Sequence, residues 1–282
     1  LAGHRPLLAW AGIQPGPAAR PLTLESTEPG HVNAELDTET AAALAGRDLT
    51  ARYLLLRSSF PASFRPDLMP EEQELPPVTA DDPVFPDALD LPAPGAADRS
   101  WLVVAQLFRD DRPYGAPALL EIDDHLAVGA SITFTEPPSA RYPGGGDLGL
   151  LDGLRGSRYF HDGLWTGFEG HDLDATIDLG SAQRPQLLSV RFVQDANAWI
   201  FLPTEVRFEI SRDGVDWTEA GTVSHDVPDK VQDKLIHEFG VDLVGGPVRF
   251  VRVRGRSRGV CPPWHPGRDR PCWVFADEIV VR

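Results

Sequence analysis

The chain has 282 residues, 42% of them hydrophobic and 24% charged, with a formal net charge of −16. That is long for one domain and globular in composition, so a sizeable core is expected and wholesale disorder is not. The negative charge repels phosphate backbones and anionic lipid, so no nucleic-acid partner is expected, and no apolar run reaches the roughly 20 residues of a transmembrane span.

Residues 1–20 contain Gly12, Pro15, Gly16 and Pro17 and read as an arm or linker. Leu1-Ala2-Gly3 resembles the end of a lipoprotein box, but His4 stands where a lipidated cysteine is required, so no lipid anchor is expected. Short apolar stretches follow at Pro21–Ser26, His31–Asp37 and Thr50–Arg57. Thr38–Ala45 reads either as a short helix, capped by Asp37 or Thr38 and stopped at Gly46, or as a strand with a polar turn. Residues 61–99 are rich in Pro, Asp and Glu without periodicity, which predicts a long solvated excursion. Trp101–Phe108 is a buried strand, Asp110–Gly115 turns the chain, and Ala118–Ile122 returns. Residues 1–130 carry 9 basic and 20 acidic side chains, and the remainder 17 and 22. This shift places a domain boundary near 130, giving domains at 21–130 and 131–282.

The second part reads as β throughout. Asp174–Leu179 alternates, and Leu187–Val193 is apolar. In Glu205–Ser211, Val206, Phe208 and Ile210 share one face, and Asp213-Gly214 then signals a hairpin returning through Val215–Ala220. In Val248–Arg254 the apolar phase flips, predicting a bulge near Phe250, and Trp273–Val281 is the last strand. Many short strands with frequent turns and almost no helix predict an all-β chain of sandwich type.

Two cysteines, Cys261 and Cys272, bracket a Pro/Gly-rich loop. A disulfide there would staple the loop and imply an oxidising, extracytoplasmic compartment; two free buried thiols are the alternative. With only His265 nearby, structural zinc lacks ligands. No nucleophile elbow or phosphate-binding loop is present, and Gly144-Gly145-Gly146 reads as a plain loop.

The run Leu151-Asp152-Gly153, Trp165-Thr166-Gly167-Phe168-Glu169-Gly170-His171-Asp172-Leu173 and Ile177-Asp178-Leu179-Gly180 resembles the opening of a discoidin (coagulation factor V/VIII type C) domain. Phe192-Val193-Gln194-Asp195, Trp199 to Thr204, Phe208 to Gly214, Arg249 to Val253, Pro263-Trp264-His265 and Trp273 to Ile279 continue the pattern in order. The set is similar to the non-catalytic C-terminus of bacterial family 20 β-N-acetylhexosaminidases. There an immunoglobulin-like domain precedes the discoidin domain, a part that Tyr53 to Gly146 resembles more weakly. The resemblance therefore implies an Ig-like β-sandwich followed by a discoidin-type jelly-roll β-sandwich. The family's catalytic barrel needs about 250 residues. The chain has no room for it, and its His-x-Gly-Gly-Asp-Glu motif is missing, so no enzyme is expected.

Discoidin-like sugar-binding domains commonly hold a structural calcium ion between an early Asp-Gly loop and a glutamate of the last strand. The resemblance places Asp152 and Glu278 in those roles, with Ser157 and nearby carbonyls as helpers. A turn cap at Asp152 and an arginine pair at Glu278 are the alternative. Sugar binding needs an aromatic platform with polar groups around it. Trp264 and His265, in a Pro/Gly loop, lead the candidates, with Trp165, Phe168, His171 and Asp172 beside them. Trp199, Glu169, Asp195 and Arg268 are further candidates, although the apolar run around Trp199 favours a core position. The arginines at 249, 252, 254, 256 and 258 form a basic stripe that suits either an acidic ligand or the chain's own acids. Three readings follow: an extracytoplasmic carbohydrate-binding module, a subunit of a larger protein assembly, or a piece of a hexosaminidase.

Overall fold

The computed structural model describes residues 21–28, 31–36, 38–44, 48–57, 76–91, 100–230 and 233–282. The expected arm at 1–20 and most of the 61–99 excursion lie outside them. Two compact units divide between Ile122 and Asp123, not near 130. Residues 123–130 belong with the second unit because their backbone is tied there: Asp123 N–H donates to Gly153 O at 2.7 Å and Leu126 N–H to Val281 O at 2.8 Å.

In the first unit β1 (Leu22–Glu28) pairs antiparallel with β2 (His31–Leu36), and the short β4 (Leu89–Asp90) lies against β2. The other sheet runs through β3 (Leu49–Arg57), β5 (Ser100–Arg109) and β6 (Arg112–Asp123). Between β2 and β3 the chain makes one helical turn, α1 (Thr38–Ala43), which decides the ambiguity at 38–45 for helix. Asp110 and Asp111 close the β5–β6 hairpin in left-handed backbone, φ 51° and 56°, which their short polar side chains tolerate. Part of the expected excursion is ordered sheet edge. Phe85 N–H donates to Ala51 O at 2.8 Å, the Phe85 ring meets Tyr53 edge-on, and Val78 packs on Val104 and Phe108. Scattered apolar residues without periodicity are enough here because they fill gaps beside a strand that is already formed.

The second unit is an antiparallel β-sandwich. Its sheets are built of β7 (Ser131–Phe134), β9 (Thr166–Glu169), β10 (Leu173–Gln183), β11 (Leu187–Gln194), β12 (Glu205–Ser211), β13 (Trp217–Ser224), β14 (Leu235–Asp242), β15 (Val248–Gly255) and β16 (Trp273–Val281), while the short β8 (Leu154–Arg155) lies outside them, beside the end of β6. One sheet has the order β13-β12-β15-β10-β7 and the other β14-β11-β16-β9. Their inner faces share one core: Ile177, Val206, Phe208, Val251 and Val253 from the first meet Leu188, Val190, Phe192, Phe239 and Val274 from the second. This is the two-sheet architecture expected of 131–282. The register breaks where the phase of Val248–Arg254 flips, but the additional residues sit on β10, between Asp178 and Gln183. Phe250 consequently turns to the outer face, under the Arg249 guanidinium.

Phe192 is fully buried and meets the Phe239 ring edge-on at 5.5 Å. Phe192→Ala is expected to cost about 3–5 kcal/mol in urea unfolding of the chain. A loss below about 1 kcal/mol would contradict its place at the centre of the core.

Candidate functional site

Four loops meet at one end of the second unit, because the strand registers bring the end of β11, the start of β14, the start of β16 and the end of β9 together. They are 170–172, 195–204, 225–234 and 256–272. The longest carries Trp264. Among the described residues Trp264 is the exposed tryptophan, at 41%, while Trp101, Trp165 and Trp273 are buried. Its ring meets Phe201 at 6.2 Å and His265 at 5.5 Å, both edge-on.

The loop is held from within. His265 Nδ1 accepts the Gly267 N–H at 3.0 Å, which leaves the proton on Nε2 for the Ala196 carbonyl at 2.7 Å. Cys261 N–H donates to Arg270 O and Cys272 N–H to Gly259 O. Gly267 lies so close to Trp199 that a Cβ there would meet the indole at 2.7 Å. Trp199 itself takes left-handed backbone, φ 68°, an uncommon choice for a bulky side chain. Its carbonyl accepts the Trp273 N–H, so the first residue of β16 fixes the strained position.

Several expected site residues are used elsewhere. His265 is only 4% exposed and holds the loop, so it does not face a ligand. Trp165 is buried, and its Nε1–H donates to Ser157 O at 2.9 Å. Phe168 is in the main core. Phe168 lies on β9 and faces the opposing sheet, while Trp165 immediately precedes β9 and packs with Phe160, Val193, Ile200, Trp273 and Phe275. His171 and Asp172 do lie on a loop at the Trp264 end, but Asp172 Oδ1 accepts the Ser257 N–H and His171 Nδ1 lies 3.0 Å from the Asp172 carbonyl. Cys261 and Cys272 are free thiols in one buried cluster with Ala196 and Phe201, so the loop is fastened by packing and hydrogen bonds and not by the expected staple. Burial raises the pKa of both, that of Cys272 to about 11, so neither is a thiolate at neutral pH.

Three further basic residues complete this end. Lys230 Nζ lies over the Trp264 ring at 5.9 Å. Lys234 Nζ lies over the exposed Tyr159 ring at 5.0 Å and pairs with Asp195 at 3.1 Å. Arg258 lies over Phe201 and pairs with Asp229. The basic stripe, in contrast, is paired within the outer face of the five-stranded sheet: Arg249 with Asp178, Arg254 with Asp174 and Glu209, Arg256 with Glu205.

A second polar constellation lies farther along β16. Opposite Arg191 the strand carries both Asp277 and Glu278, a bulge between the pairs Phe192–Ala276 and Val190–Ile279. Both carboxyls are completely buried. Asp277 pairs with Arg191 and accepts the Gly156 N–H. Glu278 Oε1 lies 2.7 Å from His125 Nε2; since His125 Nδ1 accepts the Ala127 N–H, Nε2 is the donor. Glu278 Oε2 accepts the Gly153 N–H at 3.1 Å. Asp123 pairs with Arg155 and Arg282. Burial pushes Asp152 up to about 7, where it shares a hydrogen bond with Glu278. Burial and then the neighbouring Asp152, Asp277 and Asp123 push Glu278 up as well. Asp123 goes the other way: the two arginines, with His125, outweigh its burial and hold it well below the usual carboxylate range.

Of the three expected calcium ligands, Asp152 and Glu278 come together and Ser157 does not. The Ser157 hydroxyl donates to Asp162 Oδ2 at 2.7 Å. Hydrogen-bond donors already occupy the Glu278 oxygens, and Asp152 Oδ1 accepts the Leu154 N–H. Among the described residues no group of three or more His, Cys, Asp or Glu is arranged to hold a metal. The Asp152 and Glu278 carboxyls in this arrangement suit a shared proton; a calcium ion beside them would take most of its six to eight oxygens from loop carbonyls.

No family model matches the chain, and no curated protein matches it. Solved structures do. A Clostridium perfringens module, CpGH89CBM32-4, in complex with GlcNAc-α-1,4-galactose is 10% identical over 56% of this chain and 94% of that one, with a TM-score of 0.37. The chitosan-binding module 1 of a Paenibacillus sp. IK-5 chitosanase/glucanase is 17% identical over 56% and 98%, with a TM-score of 0.37. A Streptococcus pneumoniae fucose-binding module, SpX-3, is 15% identical over 56% and 97%, with a TM-score of 0.35. What each binds belongs to that protein.

An acid whose pKa is raised on folding holds a proton that the unfolded chain releases near pH 4. Its contribution is therefore complete at low pH and declines as pH rises from about 4 to about 7. The urea midpoint is expected to fall over that range, and Asp152→Asn should flatten the slope by up to one proton, about 1.4 kcal/mol per pH unit. Equal slopes in the two proteins would contradict a proton on Asp152, and a midpoint that rises on adding calcium would restore the metal reading.

Proposed function

We propose that the chain is a non-catalytic, extracytoplasmic carbohydrate-binding module whose ligand platform is Trp264. The observation that supports this most is an exposed indole at the tip of a loop whose own histidine, glycines and backbone are committed to holding it still. An aromatic face fixed in this way stacks on the C–H face of a sugar ring at little entropic cost. Tyr159, on a neighbouring loop, is exposed and supplies a polar group toward hydroxyls. No hydrolysis is assigned, because the carboxyls with raised pKa are buried and hydrogen-bonded to each other rather than set across a cleft. No helix among the described residues is long and apolar enough to cross a membrane.

The test is a glycan-array screen of the purified chain, with calcium and with chelator. Specific hits are expected in both conditions. Trp264→Ala should abolish them, a loss of at least about tenfold in affinity, with an unchanged melting temperature. A blank array from folded protein would overturn this reading in favour of an assembly subunit.

A further inference from the structure

Basic and acidic side chains both gather on the loops around Trp264, with Asp226, Asp233 and Asp269 exposed there, and exposed arginines without an acid partner among the described residues also occur elsewhere, at Arg112, Arg141, Arg184 and Arg212. In a chain of net −16, the arginines of the five-stranded sheet are matched with acids on adjoining strands. At the Trp264 end Arg258 and Lys234 are matched as well, with Asp229 and Asp195. Lys230, Arg268 and Arg270 are not: all three are exposed and have no acid partner among the described residues. Arg268 and Arg270 belong to the same loop as Trp264, and the Lys230 ammonium stands over its ring.

Lysine itself is rare here, supplying two of 26 basic residues, Lys230 and Lys234. Both fall in the 225–234 loop, and each is placed over an aromatic ring from a different loop. Lys234 has its charge committed to Asp195 and fastens the 225–234 loop to Tyr159. Lys230 keeps its charge for the solvent side. An ammonium group is a compact donor that suits a single carboxylate or sulfate oxygen, where a guanidinium favours a bidentate fork.

Resting on the carbohydrate reading above, we propose that the ligand is an anionic glycan, with its sugar ring on Trp264 and its carboxylate or sulfate on Lys230, supported by Arg268 and Arg270. Lys230 is the specificity-determining residue of this site. A neutral sugar makes the stacking contact alone, so the acidic sugar gains one charge-assisted hydrogen bond, worth about tenfold in affinity.

The experiment is calorimetric titration of the full chain with trigalacturonate, a chondroitin sulfate hexasaccharide, triacetylchitotriose and poly-L-glutamate, at low and at physiological salt. At least one acidic oligosaccharide is expected to bind about tenfold tighter than the neutral one, more weakly as salt rises. Binding of the uronate alone assigns a carboxylate, and binding of the sulfated sugar alone assigns a sulfate. Lys230→Gln should lower acidic affinity about tenfold, a larger loss than for the neutral sugar, whereas Trp264→Ala should remove both. Both side chains are exposed, so folding is checked by an unchanged melting temperature. Equal affinity for neutral and acidic sugars, or equal losses for both in Lys230→Gln, would overturn the proposal while leaving the carbohydrate reading intact. Binding of no saccharide would remove both, and capture of poly-L-glutamate alone would replace them with an acidic protein surface.

Discussion

Two consecutive carboxyls, Asp277 and Glu278, are buried in the last strand, and much of the second unit serves to keep them partnered. In regular β pleat, consecutive side chains point to opposite faces. The bulge opposite Arg191 lifts that constraint. Neither group is tolerable in an apolar interior alone, because an unpaired buried charge is far costlier than a paired or protonated one.

Their partners come from distant parts of the sequence. Arg191 is in β11, Gly153 and Gly156 lie in the 152–157 segment, and His125 follows the end of β6. Asp123 then joins Arg155 and the terminal Arg282. Three pieces of chain are thus fixed to one strand by polar contacts. This explains why 123–130 travels with the sandwich. It also explains why the Asp152 pKa is raised: burial disfavours its charged form, and the nearby Asp277 adds to this.

The opposite design governs the loop end. Hydrogen bonds there are mostly between neighbours within a loop or across one junction, such as His265 to Ala196 and Trp273 to Trp199. The interior contacts are aromatic edges and two neutral thiols, which pack without demanding charge partners. Since the loops are immobilised by small buried groups, their outward side chains are left over: the Trp264 indole, the Tyr159 ring and a few basic heads. Ion pairs thus hold the buried interior beside the last strand, and the loop end presents an exposed aromatic ring among charged side chains of both signs.

Strand positions were legible in the residues. The alternation of Glu205–Ser211, the apolar Leu187–Val193, the Asp-Gly turn and the phase flip at Phe250 all report local periodicity, which the pleat imposes on any half-buried strand. Trp264 was legible too, because a tryptophan among prolines and glycines has no strand to be buried in. The lysines carried a signal that went unread: the chain's two, four residues apart, in a background of arginine. Loop residues were harder. His265 and Trp264 are adjacent and equally polar in context, yet one anchors and one is presented, a choice made by the Ala196 carbonyl across the junction. Phe168 resembles a ligand platform only until the opposing sheet covers it, and Trp165 only until Phe160, Val193 and Phe275 pack around it. The charge interior had no motif to find, since Asp123, Arg155, Arg191 and Asp277 meet through pairings spanning more than half of the second unit. Sequence alone determined which segments are strands and where a ring must stay exposed, because both follow from nearest-neighbour chemistry. Tertiary structure alone decided which acids are paired, which carry a proton and which cations remain unmatched, because electrostatic partners are chosen in space and not along the chain.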